Sequence, residues 1–184
     1  GGYSTIVSSV TLYNEMLARD PELARALFEP FCVDRRGEIP PGMKPYYTIP
    51  VFNWHAGLLT SYYVRRYIES AQRFEDVPRF TERQLRALDL LDSLADDPSL
   101  HLQMDFEPGD IQVLHNHQIL HSRNDFENWP EPARHRHLLR LWLAPPGGRP
   151  LPEIFAPRYG SVTPGERGGI VVRGTKPKVP LEAE

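Results

Sequence analysis

Residues 110–143 read DIQVLHNHQILHSRNDFENWPEPARHRHLLRLWL, and the rest of the chain reads as scaffold for them. The apolar and β-branched run Gln118–Arg123 predicts a strand carrying His121. A second strand is predicted over His137–Leu143, entered through Arg136 and containing Arg140. Four residues apart on a strand, the two guanidinium groups point to one face, because side chains alternate with a period of two. An arginine on an apolar, inward face requires an anion. A histidine free to hold a metal, beside arginines placed for a carboxylate, is an arrangement that binds an iron ion together with a dicarboxylic cosubstrate. The plainer alternatives are a histidine hydrogen-bonded within a sheet and arginines paired with carboxylates of a neighbouring strand.

Just upstream, Leu100–Phe106 and Ile111–Leu114 flank Glu107-Pro108-Gly109-Asp110, with proline and glycine where a type II turn places them, so a hairpin is predicted. Downstream of Pro145 the chain is rich in proline and glycine, and Gly168–Val172 is the only strand-like piece. The first half reads differently. Val10, Tyr13 and Leu17 have helical spacing from Ser9, and Asp20-Pro21 predicts the start of a second short helix with Leu23, Leu27 and Phe28 inside. From Pro30 to Pro50 there are five prolines and two glycines, which disfavour helix and predict a surface excursion, either a lid or substrate loop or a plain connector. Tyr46–Trp54 and Leu58–Tyr63 predict two strands around His55-Ala56-Gly57, with a helix beginning near Ser61. Their aromatics Tyr46, Tyr47 and Trp54 serve equally as pocket lining or as core. Thr81 predicts the N-cap of an amphipathic helix that buries Ala87, Leu88, Leu91, Leu94 and Ala95. The fold class is therefore α+β, with helices mostly in the first half and an antiparallel sheet in the second.

Length and composition set the outer bounds. A chain of 184 residues suits one ordinary domain, so a single domain over 1–184 is expected. With 40% apolar and 24% charged residues it has the composition of a soluble globular protein, and no apolar run approaches the ~20 residues needed to cross a bilayer, so no membrane partner is expected. A net charge of -3 with both signs interspersed leaves no basic stripe for nucleic acid. The single cysteine, Cys32, has no intramolecular partner, which fits a reducing compartment and a cytoplasmic location. The chain opens on Gly1-Gly2 without an initiator methionine, and the expectation is that more of a longer protein precedes it, so the lack of a signal peptide carries no weight. Unpaired strand edges would make such a piece sticky, and a homo-oligomer stays open.

The seven histidines raise a metal question of their own. His115, His117 and His121 lie close together, but a turn between strands need not let three rings converge, and no cysteine is near to complete a structural zinc site.

The segment DIQVLHNHQILHSR followed by RHLLRLWL resembles the C-terminal half of the TauD/TfdA family of Fe(II)- and 2-oxoglutarate-dependent dioxygenases. The opening GGYS is similar to that family's GG-x-S/T turn, and the likeness runs from Gly1 to at least Leu143. The resemblance implies a double-stranded β-helix, or jelly-roll, here incomplete at its N-terminus and carrying helical insertions. It implies that His121 is the distal histidine of the iron-binding facial triad and so a catalytic metal ligand. Arg136 then takes the far carboxylate of 2-oxoglutarate, Ser4 helps hold that carboxylate, and Arg140 binds an anionic group of the substrate. Partners would be O2 and a small organic molecule, hydroxylated as 2-oxoglutarate yields succinate and CO2. One departure stands out. None of the seven histidines is followed two residues later by Asp or Glu, and in the family that pair lies upstream of the GG-x-S/T turn. With two of the three protein ligands absent, this chain alone is expected to be inactive as an oxidoreductase. The alternative is a non-catalytic jelly-roll binding module that lost its metal.

Overall fold

The computed structural model describes residues 2–167. Strand β1 (Ser4–Ser8) passes directly into helix α1 (Ser9–Arg19), whose first turn is closed by Ser8 Oγ accepting from Thr11 N. Asp20 ends that helix and starts α2 (Pro21–Ala26). Its Oδ1 accepts from the N–H groups of Glu22 and Leu23, both at 3.1 Å, while Pro21 occupies the first helical position, where a missing N–H costs nothing. The stripe of α1 that goes deepest is Leu12 and Met16, with Val10, Tyr13 and Leu17 packed at its margin.

Strands β2 (Pro30–Asp34) and β3 (Tyr46–Pro50) pair antiparallel, and the proline-rich excursion between them, 35–45, is largely exposed. Strands β4 (Phe52–His55) and β5 (Leu58–Ser61) form a hairpin around Ala56 and Gly57, whose φ values of 50° and 74° give the doubly positive turn that matches strand twist. The single strand expected over Tyr46–Trp54 is thus divided at Val51, since its two halves pair with different partners. Helix α3 (Arg65–Ser70) begins later than expected, after the break at Tyr62–Val64. Helix α4 (Glu82–Ala95) starts where Thr81 predicts, in a full capping box with Gln84, and buries Ala87, Leu88, Leu91 and Leu94.

These helices and hairpins share one apolar core, in which Leu12, Met16, Leu27, Phe52, Ile68, Leu88, Leu91 and Leu94 are fully enclosed. Tyr13 clasps it edge-on against Phe28, Phe52 and Trp54 at centroid distances of 5.9, 5.7 and 6.0 Å. Arg65 ties α3 to α4 by binding Glu69, Asp89 and Asp92, and Tyr63 donates to Asp92.

Asp34, at the end of β2, is a buried carboxylate. It accepts from Ser70 Oγ at 2.5 Å and Arg36 N at 2.8 Å, with Arg73 at 3.3 Å. Burial favours its neutral form, but those hydrogen bonds and the Arg73 and Arg36 guanidiniums together outweigh burial and hold its pKa below the ordinary aspartate value. Such a group stabilises the fold above its unfolded pKa and loses that contribution as pH falls through the folded value. The urea midpoint is therefore expected to drop on acidification below the usual carboxylate range. In Asp34→Asn that drop should be smaller, measured by urea titrations across pH.

The second half supplies β6 (Leu102–Met104), β7 (Ile119–Arg123) and α5 (Ala156–Tyr159). They build an antiparallel sheet in the order β6-β1-β7, with Ser4 opposite both Met104 and Arg123, and Ile6 opposite both Leu102 and His121. One face, with Val7 and Leu120, joins the core. The other carries Ser4, Ile6, Met104, His121 and Arg123, because residues two apart share a face.

Two expected strands are not formed. The turn Glu107–Asp110 closes as read, with Asp110 N donating to Glu107 O at 3.0 Å, yet Ile111–Leu114 forms no ladder. Residues 137–143 are likewise irregular. The reason is shared: Ile111 and Leu141 are 88% and 74% exposed, so among the described residues no sheet covers the apolar faces that alternation provides. The described residues accordingly show an α+β arrangement of small antiparallel sheets and five α-helices rather than a closed jelly-roll. The strand-like piece Gly168–Val172 lies outside them.

Candidate active site

Hydrogen bonds from α1, β5 and Arg149 set where β7 begins. Ser9 N donates to Gln118 O at 2.8 Å, Ser61 N to His117 O at 2.9 Å, and Arg149 Nη2 to Gln118 Oε1 at 3.1 Å. That fixes the register, and the register puts His121 on the outward face beside Ile6. Its imidazole is accessible, and partial desolvation, followed by the nearby Arg140 guanidinium, lowers its pKa and favours the neutral form that a metal requires.

Ser4 sits on the same face, two residues before Ile6, and is nearly buried. Its hydroxyl donates to Gln112 Oε1 at 3.3 Å. Gln112 and its neighbours Met104, Asp105, Phe106, Asp110 and Ile111 line an open groove of about 400 Å³ against Ile6. Arg136 arrives from a different direction than expected. Without a strand to carry it, it folds back on the N-terminal turn, where its Nη2 donates to Gly2 O at 3.2 Å and its backbone N–H to Asn128 Oδ1 at 3.1 Å. Phe126 lies between two guanidiniums, Arg123 at 4.2 Å and Arg136 at 5.4 Å from its ring centre. Desolvation and Arg123 both disfavour the charge on Arg136, and Asp105 partly offsets them. Among the described residues no carboxylate forms an ion pair with Arg136, which is the condition of a cation held for a ligand.

Gly2 makes this approach feasible. Its φ is +90°, and a Cβ there would stand 3.0 Å from Arg136 Nε and 3.2 Å from Phe126 Cβ. Gly2→Ala is expected to strain the turn and displace Arg136, weakening binding of a small dicarboxylate probe at that guanidinium about tenfold by calorimetry. Unchanged binding would mean that the Gly2 contact does not position the guanidinium.

Of the residues singled out from sequence, Ser4 and His121 share a sheet face, Arg136 closes on the adjoining turn, and Arg140 lies near His121. The expected placement of both arginines on one strand does not hold. Gln112 and Arg123 were missed, although Arg123 follows His121 by two and so shares its face. The histidine trio does not form a zinc site. His117 packs edge-on to Phe155 and Tyr159 at 5.8 and 5.7 Å, and burial, then His115, Arg167 and Arg149, push its pKa down to about 4. Among the described residues no group of three or more His, Cys, Asp or Glu side chains is placed to hold a metal. The described residues therefore hold no complete metal site, and His121 stands on the outward face of β7 without other metal-ligating side chains grouped around it.

The family model for taurine catabolism dioxygenase TauD, TfdA family, matches residues 1–142. The chain belongs to this family, whose members are generally Fe(II)- and 2-oxoglutarate-dependent. It is 33% identical over 167 residues to FR-33289 synthase of Streptomyces rubellomurinus, covering 87% of this chain and 48% of that protein. It is 33% identical over 147 residues to a uridine-5'-phosphate dioxygenase of an Amycolatopsis species, covering 78% of this chain and 50% of that protein. A taurine hydroxylase-like protein of Stachybotrys chartarum is 31% identical over 158 residues, covering 80% and 40%. The chain spans about half the length of the curated relatives it matches. No helix among the described residues is long and apolar enough to cross a membrane.

Proposed function

We propose that the full-length protein is an Fe(II)- and 2-oxoglutarate-dependent dioxygenase that hydroxylates a small, anionic organic substrate, with O2 consumed and succinate and CO2 formed. The observation that carries this reading is the convergence of β1, β7 and Arg136 at the N-terminal turn. Ser4 and His121 share a face there, and Arg136 reaches back to Gly2 without a carboxylate partner among the described residues.

In this reading His121 contributes a neutral imidazole to the metal, and iron when bound supplies the oxidative chemistry. Arg136 takes the far carboxylate of 2-oxoglutarate as a planar fork, which fixes the cosubstrate's orientation. The Ser4 hydroxyl, now on Gln112, turns to the same carboxylate, an exchange of one hydrogen bond for a charge-assisted one. Arg140 stands close enough to His121 to influence its protonation and is assigned to an anionic group of the substrate. The metal-free binding-module alternative is not favoured, since the relatives are named for catalysed reactions. The deciding experiment is oxygen uptake with succinate formation by the full-length protein, Fe(II) and 2-oxoglutarate. Succinate formation that depends on both iron and His121 supports the reading, and a correctly folded protein that forms none under any substrate tested overturns it.

A further inference from the structure

Gln112 is a polar residue turned inward between two apolar residues that face out. Ile111 and Val113 are 88% and 82% exposed, whereas Gln112 is half-buried and lines the groove against Ile6. On an alternating segment the ordinary arrangement is the reverse, with apolar side chains inside, so a polar group turned in is the informative case. The turn Glu107–Asp110 delivers the segment there, and Glu107 N closes that turn a second time by donating to Asp110 Oδ2 at 2.9 Å.

The carboxamide meets two partners. Its Oε1 accepts from Ser4 Oγ at 3.3 Å, and its Nε2 donates to Met104 Sδ at 3.1 Å. Ser4 and Met104 stand opposite each other on β1 and β6, so one side chain spans the pair. A thioether is a weak acceptor, and among the described residues no oxygen accepts from this Nε2. The stronger donor thus faces the poorer partner. The terminal torsion of a glutamine is broad and two-fold, so half a turn exchanges Nε2 and Oε1 without moving the rest of the side chain.

The two orientations leave the Ser4 hydroxyl in different states. With Oε1 beside it, Ser4 directs its only proton at Gln112. With Nε2 beside it, Ser4 accepts from Gln112 and its proton is free for another acceptor. A hydroxyl that accepts one hydrogen bond is also polarised to donate the next more strongly. The guanidinium of Arg136 is close by along the chain, since its Nη2 donates to the carbonyl of Gly2, two residues before Ser4. The groove adjoins it as well, because Asp105 both lines the groove and favours the charge on Arg136.

We propose that Gln112 is a positioning residue whose carboxamide turns over when a dicarboxylate binds, so that Ser4 accepts from Nε2 and aims its own proton at the ligand's far carboxylate. This role rests on the dioxygenase reading, in which Ser4 and Arg136 hold that carboxylate. Without ligand, the same side chain keeps the proton of a nearly buried hydroxyl satisfied, which avoids the cost of an unmade donor.

The test is anaerobic calorimetry on the full-length protein with Fe(II) and two ligands, 2-oxoglutarate and 2-oxobutyrate, which lacks the far carboxylate. Gln112→Met keeps the length of the side chain without its amide, and should weaken 2-oxoglutarate about tenfold while leaving 2-oxobutyrate unchanged. Ser4→Ala should weaken 2-oxoglutarate to a similar degree, and the double variant should bind no more weakly than Ser4→Ala alone, because Gln112 acts through that hydroxyl. Gln112→Glu presents a carboxylate that can only accept, so its affinity at neutral pH should fall below that of the methionine variant. Relative to the parent at each pH, that affinity should recover as the medium is acidified toward the carboxylate range, where a protonated Glu regains a donor. Additive losses in the double variant, equal losses for both ligands, or unchanged 2-oxoglutarate binding in Gln112→Met would each overturn the role. If Arg136→Ala is impaired and Gln112→Met is not, only the role of Gln112 fails. Normal binding by Arg136→Ala, or none by the parent, overturns the dioxygenase reading and this role with it.

Discussion

Arg136→Ala is expected to weaken 2-oxoglutarate binding about a hundredfold, equivalent to ~2.7 kcal/mol, with the overall fold retained. The magnitude follows from the setting of the side chain. The guanidinium is partly desolvated against Phe126, lies near another cation in Arg123, and donates to the carbonyl of Gly2. A charge held this way gains a great deal from a carboxylate and is missed in full when removed, because truncation leaves the ligand's carboxylate desolvated and unpaired. Arg136→Lys should fall between parent and alanine, since an ammonium supplies the charge but not two parallel donors. Anaerobic calorimetry with Fe(II) present measures all three. Normal 2-oxoglutarate affinity in the alanine variant would falsify the assignment.

His121→Ala carries the second large effect. If His121 holds the metal as proposed, iron-dependent succinate formation by the full-length protein should fall by more than about a hundredfold, beyond what is usual for loss of an outer-shell partner. The ring has an accessible, neutral imidazole on an outward sheet face and, in the structure, lies across from Ile6 rather than in the core. Its removal should therefore leave stability nearly unchanged, which separates it from His117, whose ring is packed edge-on against Phe155 and Tyr159. Metal analysis after desalting, together with urea unfolding, reads both quantities. Iron retention and turnover equal to the parent would identify His121 as an ordinary sheet histidine.

Much of this was legible in advance, and particular residues show why. Asp20-Pro21 and Thr81 act through their own backbone neighbourhood, so their caps are where the sequence places them. The turn Glu107–Asp110 is local in the same way. Arg136 is the contrary case. Alternation around Leu139 and Leu141 describes a strand, but a strand exists only through an edge to pair with and a surface to cover its apolar side. Among the described residues no strand pairs with residues 137–143 and no sheet covers their apolar side, and Arg136 instead reaches Gly2, 134 positions away. The division of Tyr46–Trp54 at Val51 has the same origin, since the two halves differ only in which distant strand they meet.

The amino-acid sequence by itself determined the starts of α1, α2 and α4, the turns at Ala56-Gly57 and Glu107–Asp110, the α+β class and, through the order of Ser4, His121, Arg136 and Arg140, the family. These depend on interactions within a few residues or on motif order, which a linear chain states outright. Only the tertiary structure decided that Ser4 and His121 share a face, that Arg136 closes on Gly2, and that Gln112 meets the Ser4 hydroxyl. Those are meetings of residues up to 134 positions apart, set by register and packing rather than by any local preference.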